Sequence, residues 1–196
     1  NLADADSGTI TAVEHRAAGA FLPDTRNRIV QGGRNILVFT HGFANAFDSA
    51  IKRAVYNRAW FAASGVTGAE TTMVTFSWPS EGAVVAVPPH FLGDAYRADQ
   101  ARAGASGYHL SLFLAEIGVL RTMLKQRNPA ARVILLAHSM GNYALQAGVQ
   151  SYCTTQPQPA VLFDDAVLAA ADEVETSFET PGGGRLSALP SIATRI

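Results

Sequence analysis

This chain of 196 residues has one cysteine, two lysines and few charges, and each scarcity closes off a class of protein. A lone Cys153 rules out an intramolecular disulfide framework. It falls at the end of an expected helix, where it reads as a small core or surface residue. The lysines are Lys52 and Lys125, the other basic residues are arginine, and the net charge is −1. That balance gives no electrostatic basis for a nucleic-acid partner or an anionic membrane surface. No His-x-x-x-His or Cys-x-x-Cys pair occurs, and no glycine-rich loop follows a strand, so neither a metal nor a phosphate-bearing cofactor is expected. The longest apolar stretch, Ala103 to Leu120, is broken by His109 and Glu116 and has an amphipathic pattern. It reads as a buried helix rather than a membrane span. There is no internal repeat and no low-complexity tract.

What is present belongs to a globular protein. Hydrophobic residues make up 48% and charged ones 16%, enough apolar surface for a substantial core. One domain covering residues 1–196 is expected, with 1–34 as a peripheral edge region. The chain opens at Asn1 without a methionine, so its start is expected to have been trimmed or cleaved, and no compartment follows from it.

The most informative stretch is 132–147. Val133 to Leu136 is an unbroken aliphatic run, suited to a strand buried on both faces of a parallel sheet. Ser139 follows, with Ala137 two residues before it and Gly141 two after, and then the helix-forming Asn142-Tyr143-Ala144-Leu145-Gln146-Ala147. A strand, a serine at a sharp turn and a helix form the context of a nucleophile elbow, where small neighbours are needed because larger ones would collide with the adjoining strand and helix. Such a serine should have positive φ. The competing reading is a serine that caps a helix after a strand.

The remaining pattern is strand–helix alternation. Asn35–Thr40 is a second buried-strand run and Thr71–Ser77 a third, and a helix from Asp48 to about Ala63 lies between them. Gly82–Gly93 reads as an apolar loop that could wall an acyl pocket, form a lid or simply pack. Asp94–Arg127 reads as one long helix or two, stopped by Asn128-Pro129, and Ala166–Ala171 as a further strand ending at Asp172. Thr9–Val13 and Arg28–Val30 are expected as short edge strands, with turns at Pro23-Asp24 and Gly32-Gly33. Pro181–Gly184 reads as a break, and Leu186–Ile196 as a short helix leading toward another strand. This order predicts an α/β fold with a mainly parallel sheet, whose ligands bind beyond the carboxyl ends of the strands. Four strands end there in His41-Gly42, Ser77-Trp78, His138-Ser139 and Asp172.

Val-Phe-Thr-His-Gly-Phe (38–43), Phe-Ser-Trp-Pro-Ser (76–80), Leu-Leu-Ala-His-Ser-Met-Gly-Asn (135–142) and Leu-Ala-Ala-Ala-Asp (168–172) together resemble bacterial α/β-hydrolases of the DUF900 type, over roughly residues 35–178. The resemblance implies a serine hydrolase with Ser139 as nucleophile. The amides of Met140 and Phe43 would be the oxyanion-hole donors. Asp172 would be the acid of the triad, with a second-shell or helix-capping role as the alternative. In this fold a histidine follows the acid, yet none follows Ser139 here. The resemblance therefore implies that the C-terminal part of the domain, with the histidine, is absent from residues 1–196. Within the chain, His90 is the candidate base that remains. His138 should point away from the serine, and His41 reads as a structural hydrogen-bonder. The expected activity is cleavage of a small-molecule carboxylic ester through an acyl-enzyme. The rival expectation is a non-catalytic scaffold of the same fold that binds a lipid or a protein partner.

Overall fold

The computed structural model describes residues 18–64, 71–81, 89–156, 158–179 and 184–196. In it, four parallel strands form one sheet in the order β2-β1-β3-β4, with β1 at Asn35–Thr40, β2 at Thr71–Phe76, β3 at Val133–His138 and β4 at Asp165–Ala169. The helices are α1 (Ala18–Val30), α2 (Phe47–Ser64), α3 (Pro89–Ala105), α4 (Gly107–Arg127) and α5 (Gly141–Thr155). The order expected from the sequence is the order found, and α/β alternation with a parallel sheet is the observed architecture.

The central strands β1 and β3 are mostly apolar because both their faces are covered. Successive side chains point to opposite faces. Ile36, Val38, Val133, Leu135 and Ala137 therefore join the larger core, together with Leu110, Leu114 and Ile117 of α4 and Ala144, Leu145 and Val149 of α5. Leu37, Phe39, Ile134 and Leu136 face the other way, onto Ala54 and Phe61 of α2. At the amino end of β3, the Asp164 carboxylate accepts the Val133 amide at 2.8 Å and pairs with Arg121 and Lys125 of α4, each at 3.0 Å. Asp164 thus lies at the end of the sheet away from the serine.

Several expectations change. Arg28–Val30 is not an edge strand but the last turn of α1, and Pro23-Asp24 lies inside that helix rather than in a turn. Two β-branched residues are too few to set a period, and packing decided the matter. Val30 is buried in the larger core, and Arg26 on α1 donates to Glu116 of α4 at 2.9 Å. The turn at Gly32-Gly33 is present, with Gly33 at φ +59° and its amide on Val30 O at 2.9 Å. The apolar loop is shorter than expected, since α3 begins at Pro89. Its residues 82–88, the proposed strand at Thr9–Val13 and residues 181–183 of the glycine-rich break lie outside the described residues. The long helical stretch is two helices, parted at Ser106. The fourth strand is Asp165–Ala169, and Ala170 after it, at φ 45°, turns the chain before Asp172. The final segment makes a one-turn 3-10 helix at Leu189–Ser191 and then runs parallel to the start of β4, with Thr194 N on Phe163 O at 3.0 Å and Ala166 N on Arg195 O at 2.8 Å.

Candidate active site

Ser139 stands between the end of β3 and the start of α5 with φ 51°, the left-handed conformation that costs an L-residue steric strain. Its neighbours leave no alternative path. A Cβ on Gly141 would lie 2.6 Å from the carbonyl oxygens of both Thr40 and His41, so only glycine lets α5 leave so close to β1. A Cβ on Gly42 would lie 2.9 Å from Ser139 Cβ, which brings the β1–α2 loop directly against the serine. Ala137 is fully buried, its methyl accommodated. Asn142 braces the turn from below: its side-chain amide donates to Ala137 O at 3.2 Å and Ser139 O at 2.9 Å, and its backbone amide to Ser139 O at 2.9 Å.

The loop after β1 is fixed by polar contacts. His41 is fully buried and stacks on Trp78 with ring centroids 5.0 Å apart. The Trp78 amide donates to His41 Nε2 at 3.2 Å, so that nitrogen is an acceptor, and the ring proton sits on Nδ1, 3.0 Å from Gly42 O. Burial lowers the His41 pKa, against the smaller opposing effects of these backbone bonds and of Asp99. The result is a neutral imidazole with both nitrogens committed, as the structural reading of His41 expected. Asn45 closes the loop by donating its side-chain amide to Gly42 O at 3.2 Å and Phe43 O at 2.8 Å. Ala44 between them is left-handed, at φ 56°.

In a trans peptide the N–H points opposite to the preceding C=O. With Gly42 O held by His41 and Asn45, the Phe43 N–H faces the other side of the loop. Among the described residues, the amides of Phe43 and Met140 donate to no acceptor, and Ser139 Oγ makes no hydrogen bond. Met140 itself is the N-cap of α5, whose N-terminal amides favour negative charge.

Asp172 reaches the serine turn through its backbone amide, 3.4 Å from Ser139 O, while Ser139 N donates to Ala169 O at 2.9 Å. Its carboxylate accepts the Tyr96 hydroxyl of α3. Burial, reinforced by that carboxylate, pushes the Tyr96 pKa up to about 12, so the phenol stays a donor. The Tyr96 ring lies 5.5 Å from that of Phe43, which joins the acid side of the site to the loop after β1. Next to Asp172 is a polar cavity of about 460 Å³ lined by Gln100, Tyr143, Gln146, Glu173 and Arg185. On the α2 side of the sheet an apolar cavity of about 520 Å³ is bounded by Phe39, Trp60, Phe61 and Val167, and His138 opens onto it.

The structure thus brings Ser139, Met140, Phe43 and Asp172 to one end of the sheet. Among the described side chains, which do not include that of His90, it gives the serine no histidine partner. His109 is exposed on α4, His90 is in the first turn of α3, and His15 lies outside the described residues. Sequence reasoning missed Asn45 and Tyr96, which carry no local signal. Asn142 was within a quoted motif, without a role attached to it. No helix among the described residues is long and apolar enough to cross a membrane, and no group of three or more metal-ligating side chains is found there.

No curated protein and no solved structure matches the chain. A family model described as an alpha/beta hydrolase of unknown function (DUF900) matches residues 24–180, which include both the serine turn and Asp172. With the parallel sheet and the serine turn in place, the chain belongs to that α/β-hydrolase family.

Proposed function

We propose that this protein is a serine hydrolase that cleaves carboxylic esters through an acyl-enzyme on Ser139. The observation that carries the reading is the left-handed Ser139 at the β3–α5 junction, with Gly42 packed against it and Gly141 against the end of β1, each too closely for any side chain. Backbone strain of this kind persists only where the surroundings enforce it, and it presents the hydroxyl above the sheet. In the proposed reaction, Ser139 Oγ attacks the ester carbonyl and passes its proton to a histidine. The tetrahedral oxyanion accepts the Phe43 and Met140 amides, and the protonated histidine returns its proton to the departing alcohol. Water then repeats the sequence on the acyl-enzyme. Asp172 orients the histidine, and the Tyr96 hydroxyl holds its carboxylate. The base would be a histidine that follows Asp172 in chain order, as the serine–acid–histidine order of this fold requires.

A non-catalytic scaffold that binds a lipid or protein is favoured by one observation, the absence of a base beside Ser139 among the described residues. Labelling with a fluorophosphonate, read by intact mass, separates the two readings. The hydrolase reading expects the complete protein to label at Ser139 and to hydrolyse p-nitrophenyl esters, with both lost in Ser139→Ala. Residues 1–196 alone should label far more slowly, since an oxyanion hole and binding without the triad retain only about 10³–10⁴-fold catalysis over water. If residues 1–196 label as fast as the complete protein, the base lies within them and His90→Ala is the substitution to make. A complete protein that neither labels nor turns over supports the scaffold.

A further inference from the structure

Behind the loop that carries the Phe43 amide stands a buried carboxylate with no part in the chemistry above. Asp99 of α3 is 1% exposed, yet it carries a full set of donors. Ser80 Oγ donates to its Oδ2 at 2.5 Å, while the Glu81 amide at 3.1 Å and Arg102 Nη1 at 3.0 Å donate to its Oδ1. Arg102 also pairs with Glu81. An ionised carboxylate only accepts. The single Ser80 hydroxyl proton is therefore directed at Asp99, and the oxygen's lone pairs are left to face outward. There the Asn45 amide donates to Ser80 Oγ at 3.2 Å. Asn45 in turn grips Gly42 O and Phe43 O.

We infer that Asp99 is a positioning residue for the oxyanion site: acting through Ser80 and Asn45, it holds the Gly42–Asn45 loop so that the Phe43 amide is aimed at the reacting carbonyl beside Ser139. The inference rests on the hydrolase reading for its purpose, but the brace is a physical object that can be measured without turnover. Its direction matters as much as its existence. An asparagine at 99 can turn an NH₂ toward Ser80, which reverses the hydrogen bond, takes one of the two lone pairs of Ser80 Oγ and frees the hydroxyl proton to turn toward the Asn45 backbone amide, weakening the bond from that amide. The left-handed Ala44 makes the loop dependent on outside support, because an unsupported loop would relax toward ordinary φ.

The test compares wild type, Asp99→Asn, Ser80→Ala and Ser80→Thr in the complete protein, by amide hydrogen exchange and by fluorophosphonate inactivation kinetics. Asp99→Asn and Ser80→Ala should speed exchange of the Asn45 amide at least tenfold while α5 and β3 keep their protection. They should slow the maximal inactivation rate about 10- to 100-fold with the inhibitor's affinity unchanged, the signature of a misaimed donor. Ser80→Thr keeps the hydroxyl and should restore both. Uniform loss of protection across the chain, or local loosening with an unchanged inactivation rate, overturns the assignment. If Asp99→Asn does not fold, the Ser80→Ala and Ser80→Thr pair decides alone. If wild type does not label, the hydrolase reading fails, and with it the catalytic purpose of the brace; the exchange data then decide only whether the brace exists.

Discussion

The turn after β3 and the loop after β1 each keep a non-glycine residue left-handed, Ser139 at φ 51° and Ala44 at φ 56°, but different forces hold them. Ser139 is confined by contact: Gly141 and Gly42 touch backbone and side chain where no further atom fits. Ala44 is confined by hydrogen bonds, from Asn45 to the carbonyls of Gly42 and Phe43 and from the Asn45 amide to Ser80. Contact is unforgiving of added volume and indifferent to polarity. A hydrogen-bonded loop behaves the other way, tolerating volume at its rim while failing when one donor is removed. The position of Ser139 is thus set by packing and that of the Gly42–Asn45 loop by polar chemistry.

The comparison can be broken most severely at Gly141. Gly141→Ala places a methyl group 2.6 Å from two carbonyl oxygens, and neither β1 nor α5 can give way without disturbing the core. The expected loss is about 3 kcal/mol or more, read from urea unfolding. Asn45→Ala should cost less, about 1–2 kcal/mol, because Phe43 O loses its donor and Gly42 O keeps only His41. It should slow labelling of Ser139 far more than that loss of stability explains. Equal effects on stability and labelling would show that the loop is held by contact after all. Ser139→Gly tests the strain itself: relief of the left-handed penalty should stabilise the protein by about 1 kcal/mol while abolishing labelling. The smallest effect expected is the pH dependence from His41. Its folded pKa lies below the ordinary 6.5 of histidine, so the unfolded chain binds the proton first as pH falls. Stability should be full above pH 6.5 and decline below it, toward the lower folded pKa. His41→Gln should flatten that part of a thermal-shift profile.

The same division explains what the sequence revealed. Packing leaves local marks. Four strand runs, the helix stop at Asn128-Pro129 and the small residues around Ser139 were legible because each is a short-range consequence of burial or of a sharp turn. The parallel order followed from alternation. Hydrogen-bonded bracing leaves no such mark. Asn45, Ser80 and Asp99 are separated by 35 and 19 residues, and nothing about an isolated asparagine or serine announces the partner it will meet. Tyr96 is separated from Asp172 by 76 residues and was equally invisible. The misread strand at Arg28–Val30 has a third cause: a two-residue apolar cue was overruled by docking of α1 on α4 through Arg26 and Glu116.

Asp164, at the far end of β3, gives the molecule a second response to acid. Burial alone would raise its pKa, but the Val133 amide, Lys125 and Arg121 outweigh that and hold it below the ordinary 3.8. Its contribution is therefore complete above pH 3.8 and is lost only as pH falls through the lower folded value. Acid thus reaches the two ends of the sheet at different times. The serine end, through His41, weakens first, while the amino end of β3 stays fastened to α4. Mildly acidic solution should yield a species whose serine-bearing rim is loosened over an intact base, and full unfolding should wait for the carboxylate beneath.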